Sequence, residues 1–323
     1  MIRCSHSSLL GQVLTCGMVM WMWMGCTQVV DIDLPDAAPI GVMEASVRMG
    51  EPPLILLTTT QGYFDPVDLG SLGSLYVGDA TVTLTVDGTP YMLDPWCVQD
   101  LGPEALALAA SWLGVSQETL LMSNVCAYSG ALIPETYGTV GKSYVLEASW
   151  EDEGTVMDLQ ASATMPEVPQ LDSAWFQIPP TSTNDSLGFM WTAMTDVQGR
   201  GDAYRWSSRR LNRDEDFSYD LGSVFDDNFL DGQAFSFFNF RTPRPGVDEV
   251  PGEEGFWKVG DTVVVRLEGL NFEAFESIRD FETAAANQGN PFALPTSASS
   301  MVEGGLGWFA AYAVSLDTVV CHP

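Results

Sequence analysis

The chain has 323 residues and a formal net charge of −30, from 43 acidic and 13 basic side chains. This charge excludes a protein that binds nucleic acid through a basic surface, because it repels phosphate-rich partners. Hydrophobic residues make up 46% and aromatic residues 11%, which excludes a disordered chain, since high charge prevents folding only where apolar content is low. Solubility or adaptation to salt explains the acidic surface better than a cation-binding function does.

The N-terminus has the pattern of a secretion signal. One arginine and one histidine precede an apolar stretch over residues 9–24, which ends at Gly25 and Cys26. The stretch is shorter than the about 20 residues that a transmembrane helix needs, and an acidic, proline-containing segment follows it. A small residue before a cysteine suits lipoprotein signal peptidase, so we predict removal of residues 1–25 and lipidation of Cys26. An ordinary secretory signal with an incidental cysteine is the alternative.

Most of the remaining chain is predicted to form short strands. Residues 81–86 are the clearest example, because valine and leucine alternate with threonine and a hairpin-type Asp87-Gly88 follows. Similar runs predict further strands at residues 42–47, 54–60, 144–150, 155–164, 204–211, 235–240, 263–268 and 308–315. Many short strands separated by turn residues are typical of β-sandwiches.

A helical insertion is predicted between Cys97 and Cys126. Pro103 suits a first helical position, and Ser116 suits the cap of a second, shorter helix. The cysteines flank this insertion, and disulfides persist outside the cytoplasm, so we predict that they pair. Cys321 is then left without a partner.

A second helix is predicted over residues 271–287 in the C-terminal half. Asn271 is a plausible N-cap, and apolar residues follow at three-residue spacing. This stripe is interpreted as core packing and not as a ligand site. The prolines at 166 and 169 place a domain boundary between residues 165 and 166, because proline cannot continue a strand ladder.

The prediction is therefore an all-β protein with a signal peptide and two β-sandwich domains. The signal covers residues 1–25, the first sandwich residues 26–165 with the insertion at 97–126, and the second sandwich residues 166–323 with the helix at 271–287.

The search for catalytic chemistry is mostly negative. After removal of the signal the only histidine is His322, next to the C-terminus, which excludes the usual serine and cysteine triads and histidine-based zinc sites. We therefore expect no enzymatic activity, cofactor or metal. Residues 226–232 carry three aspartates, which indicates calcium, but they lack the spacing of a calcium-binding loop and are interpreted as an exposed turn.

Several segments in order resemble the Bacteroidota outer-membrane lipoproteins grouped as domain of unknown function 4249. After Cys26 the resemblance lies in residues 30–35, 41–45, 60–65, 78–84, 138–146, 225–232 and 304–309. The insertion at 97–126 departs from this pattern. The resemblance implies a lipid-anchored outer-membrane protein encoded near TonB-dependent transporters. It also implies a carboxypeptidase-regulatory or immunoglobulin-like first sandwich and a fibronectin-like second one, with no established activity.

Two functions remain open at this point. One is an accessory binding module for a TonB-dependent transporter, anchored to outer-membrane lipid through acylated Cys26. The other is a structural or adhesive surface protein. The candidate partner contact is an apolar patch on the insertion, although these residues could equally pack against the sandwich: Trp96, Leu106, Leu108, Trp112 and Leu113.

Overall fold

A computed structural model describes residues 38–61, 75–107, 116–123, 125–152, 154–214, 216–219, 222–242, 250–287 and 299–323. Within these ranges the chain forms fifteen strands and the two α-helices named below, and residues 103–107 are also helical. The strands are β1 (Gly41–Arg48), β2 (Leu54–Thr59), β3 (Thr81–Val86), β4 (Thr89–Cys97), β5 (Cys126–Ser129), β6 (Ser143–Asp152), β7 (Thr155–Thr164), β8 (Gln170–Gln177), β9 (Leu187–Thr195), β10 (Ala203–Arg210), β11 (Val224–Asp226), β12 (Ala234–Asn239), β13 (Trp257–Lys258), β14 (Thr262–Leu270) and β15 (Leu306–Val320). The helices are α1 (Gln117–Met122) and α2 (Phe272–Ala286).

The first sandwich forms where a long sheet folds over itself. Its strand order is β11-β10-β14-β15-β1-β2-β5-β4-β3-β6-β7. Strand β4 makes the turn between the layers, because its first half pairs with β3 and its second half with β5. Alternate residues of β1 and β3 point into one shared core, among them Met43, Val47, Val82 and Leu84. This alternation confirms the prediction of an all-β, sandwich-like fold.

The second sandwich packs strands β10, β11, β14 and β15 against a smaller sheet of β8, β9, β12 and β13. Met190 of β9 and Trp257 of β13 meet Val263 and Val265 of β14 in its core. Helix α2 covers the opposite side of the larger sheet, where Phe275 and Ile278 are buried. The middle of the predicted apolar stripe is therefore core packing, whereas Phe281 at its end is 49% exposed and contacts Trp308, with ring centroids 5.4 Å apart.

Strand β15 belongs to both sandwiches. Its first half, from Leu306 to Tyr312, pairs with β1 in parallel, and its second half, from Tyr312 to Val320, pairs with β14 antiparallel. Gly307 permits the close approach to β1: a Cβ atom there would lie 1.9 Å from the carbonyl oxygen of Met43, and its φ of 118° suits glycine. The predicted boundary near residue 165 lies between β7 and β8, while residues 39–323 form one compact unit.

The start of helix α2 differs from the prediction in one respect. Asn271 occupies the N-cap position, but its side chain makes no capping hydrogen bond. Its amide instead donates to the carbonyl of Phe309 at 3.3 Å and accepts from the backbone N–H of Ala311 at 2.9 Å. Strand β14 ends at Leu270. Beyond this residue the Asn271 side chain takes the place of β14 and forms hydrogen bonds with the backbone of β15.

A buried charged cluster joins β1 to the second sandwich. Glu268 of β14 is fully buried and accepts a hydrogen bond from Arg48 of β1 at 2.9 Å. The hydroxyl of Tyr219 donates to the same carboxylate at 2.8 Å, and Arg266 lies 3.5 Å from it. A buried carboxylate is tolerated only with such partners, because its removal from water costs several kcal/mol.

Cys97 and Cys126 stand opposite each other on β4 and β5 and form a disulfide, with their Cα atoms 4.0 Å apart. The bond closes the base of the insertion, where residues 103–107 and α1 are helical. Ser116 caps α1 through a hydrogen bond from the backbone N–H of Thr119 at 3.0 Å, as predicted.

We expect the double substitution Cys97→Ser and Cys126→Ser to lower the free energy of unfolding by about 3 to 4 kcal/mol, because a loop of this length then gains entropy in the unfolded chain. Denaturant unfolding with and without reductant measures the change. Reductant should lower the midpoint of the wild-type protein and leave that of the double variant unchanged. Equal midpoints for the oxidised and reduced wild-type protein would contradict a stabilising disulfide.

Candidate functional site

The predicted partner patch on the insertion is only partly a surface. Trp96 on β4 is 41% exposed, whereas Leu106 is buried against Val98 and Leu120 in a small core of the insertion. Leu106 therefore packs inside the insertion itself, and not against the sandwich. The other three residues of the patch lie outside the described residues: Leu108, Trp112 and Leu113.

A cluster of acidic side chains lies where the loop after β9 meets the turn after β11. Single carboxylate oxygens of Asp196, Asp202 and Asp227 lie within 4.8 Å of one another. Asp227 is 1% exposed, so the turn predicted to be exposed is buried at this residue, although Phe229 in the same turn is 95% exposed. The aspartate-rich motif indicated Asp227, but Asp196 and Asp202 are distant in the sequence and carry no motif.

Backbone and side-chain donors compensate two of these carboxylates. The N–H of Gly201 donates to Asp227 at 2.9 Å, and the N–H of Gly232 donates to Asp196 at 2.8 Å. The Tyr204 hydroxyl also donates to Asp196, and burial together with this bond raises the pKa of that tyrosine.

Asp202 is the carboxylate of this cluster whose pKa is raised. Burial raises it most, and the negative charges of Asp196, Asp227 and Asp231 raise it further. Calcium takes about six to eight oxygen ligands, of which these side chains supply three. The three carboxylates could form part of a cation site, and their charges already interact unfavourably without one.

A substitution at Asp202 tests this electrostatic strain. Because the pKa of Asp202 is raised in the folded state, its ionised carboxylate destabilises the fold. This destabilisation is absent below the ordinary aspartate pKa and fully present above the raised pKa. Solvent screens the partly exposed Asp202, so Asp202→Asn should increase the free energy of unfolding at pH 7 by no more than about 1 kcal/mol, and this increase should fade as the pH falls toward 4. Urea unfolding across this pH range measures the effect.

The control is Asp185→Asn, which removes an exposed aspartate from another loop. This substitution should change the free energy of unfolding little across the same pH range. A lower unfolding free energy for Asp202→Asn at pH 7 would contradict the interpretation and would indicate that the ionised carboxylate stabilises the fold.

The outer side of the smaller sheet carries a row of large aromatic side chains. Met190, Thr192 and Met194 of β9 are buried toward the core, so the alternate residues Phe189 and Trp191 point outward. Strand pairing places Trp175 of β8 and Phe238 of β12 on either side of Trp191. We call this surface the aromatic face: Trp175, Phe189, Trp191, Phe238 and Phe240.

The rings of the aromatic face contact one another. Trp175 and Trp191 are stacked, with centroids 5.8 Å apart, and Phe238 lies 5.3 Å from Trp191. Phe189 lies 4.9 Å from Phe238 and 5.3 Å from Phe240. Phe238 and Phe240 remain 43% and 52% exposed, so the cluster is a surface and not a second core.

Sequence reasoning missed the aromatic face because it predicted only one of its three strands. The run at 235–240 was recognised, whereas β8 and β9 were not. The signal in β9 was weak because it is apolar on both sides, and such a segment lacks the alternation of a half-buried strand.

No helix among the described ranges is both long and apolar enough to cross a membrane. The family model "Domain of unknown function (DUF4249)" matches residues 27–317 of the chain. No curated protein and no solved structure matches it significantly. The match covers nearly all of the sequence after the predicted signal, and the chain therefore belongs to the DUF4249 family.

Proposed function

We propose that this protein is a membrane-tethered surface lipoprotein that serves as a non-enzymatic binding module of a TonB-dependent outer-membrane transport system. The aromatic face carries the binding part of this proposal. Contiguous exposed apolar surface is costly in water and commonly marks an interaction site. After residue 25 the only histidine is His322, next to the C-terminus, which leaves no histidine for the usual catalytic triads and favours a binding role.

The tether rests on the N-terminal pattern around Cys26. Acyl chains on this cysteine would confine the body to the membrane that holds the transporter, and this raises the effective concentration of each near the other. A modest contact surface could then suffice for association. The assignment to a TonB-dependent system follows from the family resemblance of the sequence.

A structural or adhesive surface protein is the second candidate. Strand β15 joins the two sandwiches through continuous hydrogen bonding, which would suit a stiff spacer. A spacer has no need of the exposed rings of the aromatic face, and this observation favours the binding module.

The lipid tether predicts the behaviour of a Cys26→Ser variant. Metabolic labelling with a radioactive fatty acid should mark the wild-type protein and leave the variant unlabelled, because the thioether cannot form. The variant should also leave the outer-membrane fraction after a salt wash, since acyl chains are the proposed attachment.

The matched control is Cys16→Ser, which removes a cysteine from within the predicted signal. It should leave both labelling and membrane fractionation unchanged. A wild-type protein that takes up no label, or a Cys26→Ser variant that keeps it, would contradict the lipoprotein proposal.

A further inference from the structure

We infer that the aromatic face docks a different protein, whose contact region has an apolar centre and a basic rim. The inference rests on the proposed binding function and adds the surface used and the chemistry of its partner. It places the contact on β8, β9 and β12 of the second sandwich, and not on the insertion between Cys97 and Cys126.

The centre of the aromatic face has the composition of an interface core. Tryptophan and phenylalanine are enriched at the centres of protein interfaces, where they contribute large contact areas. Beside the row of Trp175, Trp191 and Phe238, the neighbouring cross-strand row consists of Ser173, Ala193 and Ser236. Because these side chains are small, a partner can approach the sheet closely next to the rings.

The ring orientations suit contact with the side chains of a protein. Trp175 and Trp191 are nearly parallel, at 10°, but Phe238 is tilted by 50° from Trp191. Phe189 and Phe240 are almost perpendicular, at 89°. The surface therefore presents a mixture of ring faces and ring edges, into which branched and aromatic side chains can pack.

Exposed carboxylates lie at both ends of the aromatic face, and Lys258 of β13 beside it is held in a salt bridge with Glu253. Asp172 is an exposed residue of β8 beside the small row. At the other end Phe256 lies 5.3 Å from Phe189, and the exposed Glu254 stands two residues before it. A basic rim on the partner complements these carboxylates, and the net charge of −30 adds long-range attraction.

The same charges disfavour two other occupants. In a symmetric contact with a second copy, each patch meets itself, so acidic rims would face acidic rims. An anionic membrane surface would be repelled in the same way. A different protein of complementary charge fits both the apolar centre and the rim.

Site-specific photo-crosslinking in the cells that produce the protein tests the inference. A photoreactive amino acid replaces Phe238 or Phe240 in the full chain. A further site at Trp96, which is 41% exposed beside the insertion, detects contacts made there, and a matched control replaces Leu132, which is 80% exposed on the first sandwich. We expect positions 238 and 240 to yield one crosslinked protein that position 132 does not. Its crosslinked peptide should contain an apolar segment flanked by lysine or arginine.

Association with that purified partner provides the second measurement. Phe238→Ala should weaken it by about 30-fold, the loss typical of a residue that dominates an interface. Added salt should weaken it further, because screening reduces attraction between the rims. Leu132→Ala should leave the affinity unchanged.

The outcomes separate this inference from the proposed function. Crosslinks to a transporter from the insertion, with none from positions 238 and 240, would overturn the inference and retain the proposed function. Crosslinks from the aromatic face to a basic protein outside any transport system would support the inference and would overturn the assignment to a TonB-dependent transport system. Crosslinks only to a second copy or to lipid, or none above the control, would overturn the inference.

Discussion

The hydrogen bonds of strand β15 connect both sandwiches, and the positions of the other elements depend on them. The strand pairs in parallel with β1, near the start of the described chain, and antiparallel with β14. Pairing between distant segments closes a long loop at an entropic cost, so β15 completes its contacts only when both partner strands are in place. Helix α2 and the larger sheet of the second sandwich then pack around a strand that the first sandwich also holds.

The polar contacts beside β15 lie where its pairing changes from one partner to the other. Tyr312 is opposite Arg48 of β1 and also opposite Leu270 of β14. The Arg48 guanidinium lies 4.8 Å from the centre of the Tyr312 ring and binds the buried Glu268. Loss of one member of such a buried pair commonly costs about 3 to 5 kcal/mol, because the other charge is left without compensation. This cluster therefore joins the sandwiches more specifically than apolar packing alone would.

Local patterns predicted much of the fold, and the failures have physical reasons. Strand β7 was predicted with the observed bounds, because one-sided burial produces alternation, and the flanking cysteines indicated the disulfide. The sharing of β15 could not be predicted, since pairing partners are distant in sequence. The aromatic face was missed because β9 carries apolar residues on both sides. The acidic cluster was missed because aspartates from separate loops meet only in the folded chain.

The smaller sheet can carry large exposed rings on its outer side because its inner side packs in the core around Met190 and Trp257. That core includes residues of β14 and β15, so the geometry of the binding surface depends on the junction of the two sandwiches. Calorimetry of residues 26–323 tests this dependence directly. One unfolding transition, with equal calorimetric and van't Hoff enthalpies, is the result expected if β15 makes the two sandwiches a single cooperative unit. Two resolved transitions would contradict it.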